Sequence, residues 1–278
     1  MELDVFHLFL WEPLAFDGTP FAINRVVILM FVAAFLTVGF FLLGAARASS
    51  KPKGIGLLAE TGYLFVKNNI AIDVIGPQGA RFAPYLATLF FFIFFSNLLE
   101  IIPGISFPVT SRMALPAVLA IATWVVYNAV GIKNHGFNYF KDTLFPPGVP
   151  KPIYIILTPI ELFSVFIIRP LTLAIRLFAN MLAGHVLVVV FILFTENLIT
   201  TGIGTPLGIL TFLVTMLLMV FELMVIAIQA YIFTTLSAFY IAEALEGHGD
   251  HEDSEAGGPA HHEHADPSPQ HETELSAA

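Results

Sequence analysis

Residues 158–199 read TPIELFSVFIIRPLTLAIRLFANMLAGHVLVVVFILFTENLI, and residues 205–246 read TPLGILTFLVTMLLMVFELMVIAIQAYIFTTLSAFYIAEALE. The length of these two runs decides the fold. Each opens on a Thr-Pro step: Thr158 is a capping residue, Pro159 suits the first helical position and Glu161 follows at the third, while Thr205-Pro206 repeats the cap and the proline. If each helix continues to its next breaker, 159–199 and 206–246 both measure about 60 Å at 1.5 Å per residue. That is twice the bilayer core of about 30 Å. Neither run has a turn signal near its middle, although Pro170 removes one backbone donor and should kink the first. The expected arrangement is a pair of steeply tilted, antiparallel helices joined by Thr200 to Thr205. Ordinary spans with interfacial extensions are the blander alternative.

Outward from this hairpin the same reading extends along the chain. Of its 278 residues 57% are hydrophobic and 12% charged, against roughly 45–50% and about 25% in soluble domains. Further apolar runs at about 23–46, 83–102 and 115–132 reach or approach the ~20 residues that cross a bilayer as a helix. The fold class is therefore all-α integral membrane, with about five spanning segments, the last two long, tilted and antiparallel. At about 55–75, Leu57, Leu58, Leu64, Phe65 and Ile72 recur at helical spacing, interrupted by Glu60, Lys67 and Asp73, as in a helix lying on a membrane surface; an ordinary loop is the alternative.

The ends differ in kind. Residues 1–22 form an external segment with Glu2, Asp4, Glu12 and Asp17 but no Lys or Arg, the wrong charge for the start of a secretory signal. Ala46-Arg47-Ala48 resembles a cleavage site, but the apolar run before it is too long for a signal core, so a retained first span is expected. Residues 247–278 hold eight acidic side chains, six of the nine His residues and no Lys or Arg. This acidic, His-rich segment reads as a disordered cytoplasmic tail, with no fixed ligand spacing and hence no metal assigned. Nearly all of the formal charge of −9 belongs to the tail, so nucleic acid is not an expected partner. No cysteine is present, which excludes disulfides and thiolate metal sites.

Lys and Arg accumulate in short cytoplasmic loops. Arg47, Lys51, Lys53, Lys67 and Arg81 lie between the first two spans, and Lys133, Lys141 and Lys151 between the third and fourth. Arg112 stands alone after the second. The amino terminus is thus expected outside and the tail inside.

Arg176 lies near the middle of the first long helix, where a guanidinium costs at least ~2.5–3.5 kcal/mol and is functional by default. No acid lies three or four residues away. In the expected hairpin register, facing residues have numbers totalling about 405, so Arg176 faces Gln229, His185 faces the neighbourhood of Glu222, and Glu161 faces Glu243. Gln229 carries no charge and Arg stays protonated, so a carboxylate on a second chain is inferred as the counter-ion. On the outer side of Arg176, His185, Glu222, Asn97 and Glu100 are candidates for a water-filled half-channel, the first two able to exchange protons. A His–Glu pair that only fixes packing is the alternative. Glu161, Ser164, Thr172, Tyr240 and Glu243 are candidates for an inner one. Arg169 reads as an interfacial anchor or as a second functional charge.

The run Arg169-Pro170-Leu171-Thr172-Leu173-Ala174-Ile175-Arg176-Leu177-Phe178-Ala179-Asn180-Met181-Leu182-Ala183-Gly184-His185 resembles the signature of subunit a of F-type ATP synthases. Gln229-Ala230-Tyr231-Ile232-Phe233 resembles the matching stretch of the last helix, and Ser96-Asn97-Leu98-Leu99-Glu100-Ile101-Ile102-Pro103 is similar to a third. The resemblance covers about 80–246. It implies a stator facing the c-ring of a rotary motor, with Arg176 as the essential stator arginine, Gln229 and Asn180 beside it, and the ring carboxylate as the missing counter-ion. It further implies the peripheral stalk subunit b and the remaining synthase subunits as partners, H+ as the transported ion and a bacterial cell membrane. Some members carry Glu where His185 stands and His where Glu222 stands, so the two are expected to work as a unit. No Gly-Lys pair and hence no phosphate-cradling loop occurs; the chain is expected to bind no nucleotide and no cofactor, and not to be an enzyme by itself. The competing reading is a stand-alone proton-coupled secondary transporter, which the lack of an internal repeat disfavours.

Overall fold

A computed structural model describes residues 25–47, 53–102, 109–136, 138–145, 151–200 and 205–246. The external segment and the His-rich tail expected from the sequence lie outside the described residues. Every regular element among those described is helical. Helix α1 is Arg25–Ala46. Helix α2, Ile55–Val66, runs on through a π-helical turn, Lys67–Ile72, into Asp73–Ile75. It stops at Gly76, whose φ of 84° closes the element before Pro77. Helix α3 is Ala83–Leu98 and α4 is Ala114–His135, followed by the short α5, Asn138–Leu144.

The last two elements are the longest. Helix α6 is continuous over Tyr154–Thr200, 47 residues, and α7 covers Thr205–Glu246, 42 residues. At 1.5 Å per residue they are about 70 and 63 Å long. Among the described residues four helices, α1, α4, α6 and α7, are long and apolar enough to cross a membrane. The expected second span is shorter than its apolar run: α3 has 16 residues, about 24 Å, because the chain turns at Leu99 and Glu100.

The start of α6 departs from expectation. Pro159 sits inside the helix, which begins at Tyr154, and the Thr158 hydroxyl donates to the Leu144 carbonyl at 3.3 Å instead of capping its own helix. The lost bond falls within the first two turns, where a proline is least costly. Farther along, the kink expected at Pro170 takes the form of a π-helical turn, Ser164–Ile168. The Arg169 N–H reaches back to the Ser164 carbonyl, and Pro170 has no N–H, so the Val165 carbonyl is left without a donor in its own helix. Trp124 Nε1 and the Tyr127 hydroxyl, both on α4, donate to it at 3.3 and 3.1 Å.

The core forms where small residues let backbones approach, as membrane packing requires. Ala71 of α2, Ala83 and Ala87 of α3 and Ala238 and Ala244 of α7 are all fully buried or nearly so around Tyr127. A second cluster joins Leu89 and Ile93 of α3 to Leu173, Leu177 and Met181 of α6 and Ile226 and Phe233 of α7. On α2, Ala59, Val66, Ile70 and Ala71 are buried against the protein while Leu57, Leu58, Leu64 and Phe65 are exposed, which leaves an apolar side for lipid.

Candidate functional site

Helices α6 and α7 pack along each other through an antiparallel seam. Its paired positions are Ile199 with Gly208, Thr195 with Thr215, Gly184 with Glu222, Asn180 with Gln229 and Arg169 with Glu243. Their numbers exceed the expected total of 405 by between one and seven, a shift of up to two helical turns. That shift is enough to change each of the expected polar partners.

Gln229 does not meet Arg176: its Oε1 accepts from Asn180 Nδ2 at 3.0 Å. His185 is bonded to Glu100 on the α3 side, with Nδ1 3.0 Å from Oε1 and both side chains 6% exposed. Glu222 is buried in the same region, against Gly184 and within electrostatic reach of Glu100. A side chain at 184 would collide with the Glu222 carboxylate, so the glycine is what admits an acid between the two long helices. Glu243 does not face Glu161. It forms a bidentate ion pair with Arg169 at 2.6 and 2.7 Å, so Arg169 is not a free interfacial anchor. Tyr240 lies beside that pair, its ring 5.4 Å from the Arg169 guanidinium carbon.

Two faces of α6 emerge. Leu173, Leu177, Met181 and His185, spaced by four, form the buried one. Arg176 is exposed on the other, as are Thr172, Ile175 and Ala179, and no carboxylate pairs with it among the described residues. Nine residues at 100° each separate Arg176 from His185 by about half a turn. The hairpin thus does not ask Gln229 and Glu222 to serve both: Glu222 meets Gly184 beside His185, and Gln229 meets Asn180, one turn along from Arg176.

The candidates expected on the outer side of Arg176 converge. Asn97 and Glu100 from the end of α3 and His185 from α6 are buried together with Glu222. Thr110, between α3 and α4, donates to Asn97 Oδ1. Sequence reasoning passed over Thr110 and Gly184; a lone glycine in mid-helix beside a titratable residue was the signal for the second. Asn97 Nδ2, Glu100 Oε2, Glu222 Oε1 and Gln229 Nε2 are buried with no protein partner. Buried polar atoms of this kind are ordinarily completed by water.

The inner candidates are less compact. Glu161 and Ser164 are half-buried on the first turns of α6. Thr172 is exposed and spends its hydroxyl on the carbonyls of Ile168 and Arg169. Of the five inner candidates, only Glu243 and Tyr240 are drawn together, and it is Arg169 that does so.

A family model described as ATP synthase A chain matches residues 27–242. The chain is 45% identical over 251 residues to ATP synthase subunit a of Frankia alni, covering 90% of this chain and 86% of that one. It is 43% identical over 260 residues to ATP synthase subunit a of Parafrankia sp., covering 93% and 88%. With ATP synthase subunit a of Hyphomonas neptunium the identity is 38% over 250 residues, covering 88% and 97%.

Proposed function

The chain belongs to the ATP synthase A chain family, and from that membership we propose that Arg176 divides two half-channels through which protons reach and leave carboxylates on a rotating partner. As a family member it is a non-catalytic membrane subunit of a bacterial ATP synthase, the proton-channel stator of its membrane sector. The c-ring is the proposed rotating partner, with peripheral stalk subunit b and the remaining subunits completing the stator and the catalytic sector. The orientation proposed from the basic loops has the amino terminus outside and the tail in the cytoplasm.

One observation carries the mechanism: Arg176 stands exposed on the lipid-facing side of α6 with no carboxylate partner among the described residues. A charge so placed is costly in lipid and requires an anion from another chain. A rotor carboxylate arriving there is ionised beside Arg176 and must be neutral where it faces lipid, because the protonated acid costs far less than the ion. Protons enter through the outer group, Asn97, Glu100, His185 and Glu222, whose unpartnered atoms are suited to a water file. They leave past Glu161, Ser164, Thr172 and Tyr240. The fixed positive charge between the two routes keeps protons from crossing without rotation. Each proton crossing 100 mV releases about 2.3 kcal/mol, so several must pass for each ATP.

The test is Arg176→Ala in the assembled enzyme. The variant inserts and assembles with its ring but loses proton-driven ATP synthesis. Parental synthesis rates in membranes containing normal amounts of the variant would overturn the reading.

A further inference from the structure

The hydrogen-bond ladder of helix α6 is broken eight to twelve residues inward of Arg176. At the π-helical turn Ser164–Ile168 the ladder shifts register, and Pro170 withholds the N–H that the Val165 carbonyl would need. An unsupported helix bends at such a point. Here it is fastened on two flanks. On one, Trp124 and Tyr127 of α4 bond the freed Val165 carbonyl. On the other, Arg169 reaches α7 and binds both oxygens of Glu243. The guanidinium and carboxylate match in a planar fork, the geometry that fixes orientation as well as distance. The half-buried pair is flanked by Tyr240, whose ring packs 5.6 Å from that of Tyr127, and by Tyr139 of α5, within electrostatic reach of both charges.

We propose that the Arg169–Glu243 pair is a clamp that holds the inner half of α6 against α7, so that Arg176 keeps its place as partner carboxylates are drawn past it. The inference rests on the reading that Arg176 meets a rotor carboxylate. Arg169 and Glu243 are positioning residues. They act on the backbone that carries Arg176, about 10 Å away along the helix axis, and Glu243, with both oxygens taken by Arg169, is not a station on the proton route. The second brace lies on the other side of Arg176, one turn outward, where Asn180 bonds Gln229. Between the two braces stands the exposed arginine, with Tyr240 of α7 within its electrostatic reach.

A rotor carboxylate attracts Arg176 on every pass. With the inner brace gone, α6 yields at its broken ladder, Arg176 follows the departing carboxylate, and protons slip between the half-channels. The consequence is lost coupling more than lost turnover.

The experiment uses the complete synthase in inverted membrane vesicles, with ATP hydrolysis and ATP-driven proton pumping measured side by side. Glu243→Gln is expected to retain most hydrolysis while protons pumped per ATP fall at least threefold. The charge exchange, Arg169→Glu with Glu243→Arg, is expected to recover more than half of the coupling. Arg169→Met with Glu243→Leu removes both charges, avoids a buried unpaired one, and decides the matter if Glu243→Gln fails to insert; slip is again expected. Parental coupling in both Glu243→Gln and the double apolar variant, with Arg176→Ala uncoupled alongside, overturns the clamp and leaves the arginine reading intact. Hydrolysis and pumping falling in equal proportion, with no rescue by exchange, makes Glu243 a proton carrier and also overturns it. Normal pumping by Arg176→Ala removes the premise itself.

Discussion

His185, Glu100 and Glu222 place three titratable side chains in one buried region, with His185 Nδ1 hydrogen-bonded to Glu100 Oε1. The imidazole and the Glu100 carboxylate therefore act as one unit, and Glu222, with Oε1 unpartnered, as the next group along. Replacing His185 by Leu should slow proton passage through the membrane sector by tenfold or more, because Glu100 loses its partner and the water file its relay. Exchanging the contacting pair, with Glu100→His and His185→Glu, should restore part of the rate, measured as passive proton uptake by vesicles stripped of the catalytic sector. Equal rates in the parent and His185→Leu would make the pair a packing device only. Gly184 sets the position of the third group. Gly184→Ala places a methyl where the Glu222 carboxylate now lies, so that side chain must turn away, and proton passage should fall with no loss of protein from the membrane.

At the scale of the element, the π-helical turn of α6 is held by donors from α4, and this can be tested by stability. Tyr127→Phe or Trp124→Phe alone leaves one donor on the Val165 carbonyl, so each should have a small effect. Together they strand a buried carbonyl, which costs about 1–3 kcal/mol, and the purified subunit should unfold at lower denaturant or temperature than either single variant. An additive, negligible loss would show that water replaces both donors. This junction also marks where sequence reading stops. The long helices were legible because their apolar runs have no interior breaker and because lipid forbids anything but helix. The hairpin register was legible only to within two turns, since it was set from the ends, and a helix beginning at Tyr154 instead of Pro159 with a π turn inside it has no compositional trace. At that precision Asn180 and Arg169 could not be matched to Gln229 and Glu243. Which polar residues gather beyond Arg176, toward the α6–α7 connection, was readable; which touch was not.

For the whole molecule, the decisive feature is the division of α6 between an inward face and one turned to lipid. Leu173 and Leu177 are 2% and 0% exposed and belong to the bundle core, whereas Ile175, next to Arg176, is 44% exposed, and Thr172 and Ala179, about one turn to either side, are exposed too. A rotor helix that reaches Arg176 must therefore pass over Thr172, Ile175 and Ala179, and cannot touch Leu173. The native chain has no cysteine, so single introduced cysteines report the contact without background. Cysteines at Ile175 or Ala179 should crosslink to a cysteine on a ring helix at the depth of its carboxylate, while one at Leu173 should not. Ile192 and Phe194 are also exposed, but about 25 Å farther along the helix axis, so a cysteine there should meet ring positions far from the carboxylate or none. Crosslinks at Leu173 equal to those at Ile175 would mean that α6 rotates within the assembled enzyme. Crosslinks to α1 alone, with none to α6, would remove the rotor from this face altogether, and with it the partner on which the isolated charge of Arg176 depends.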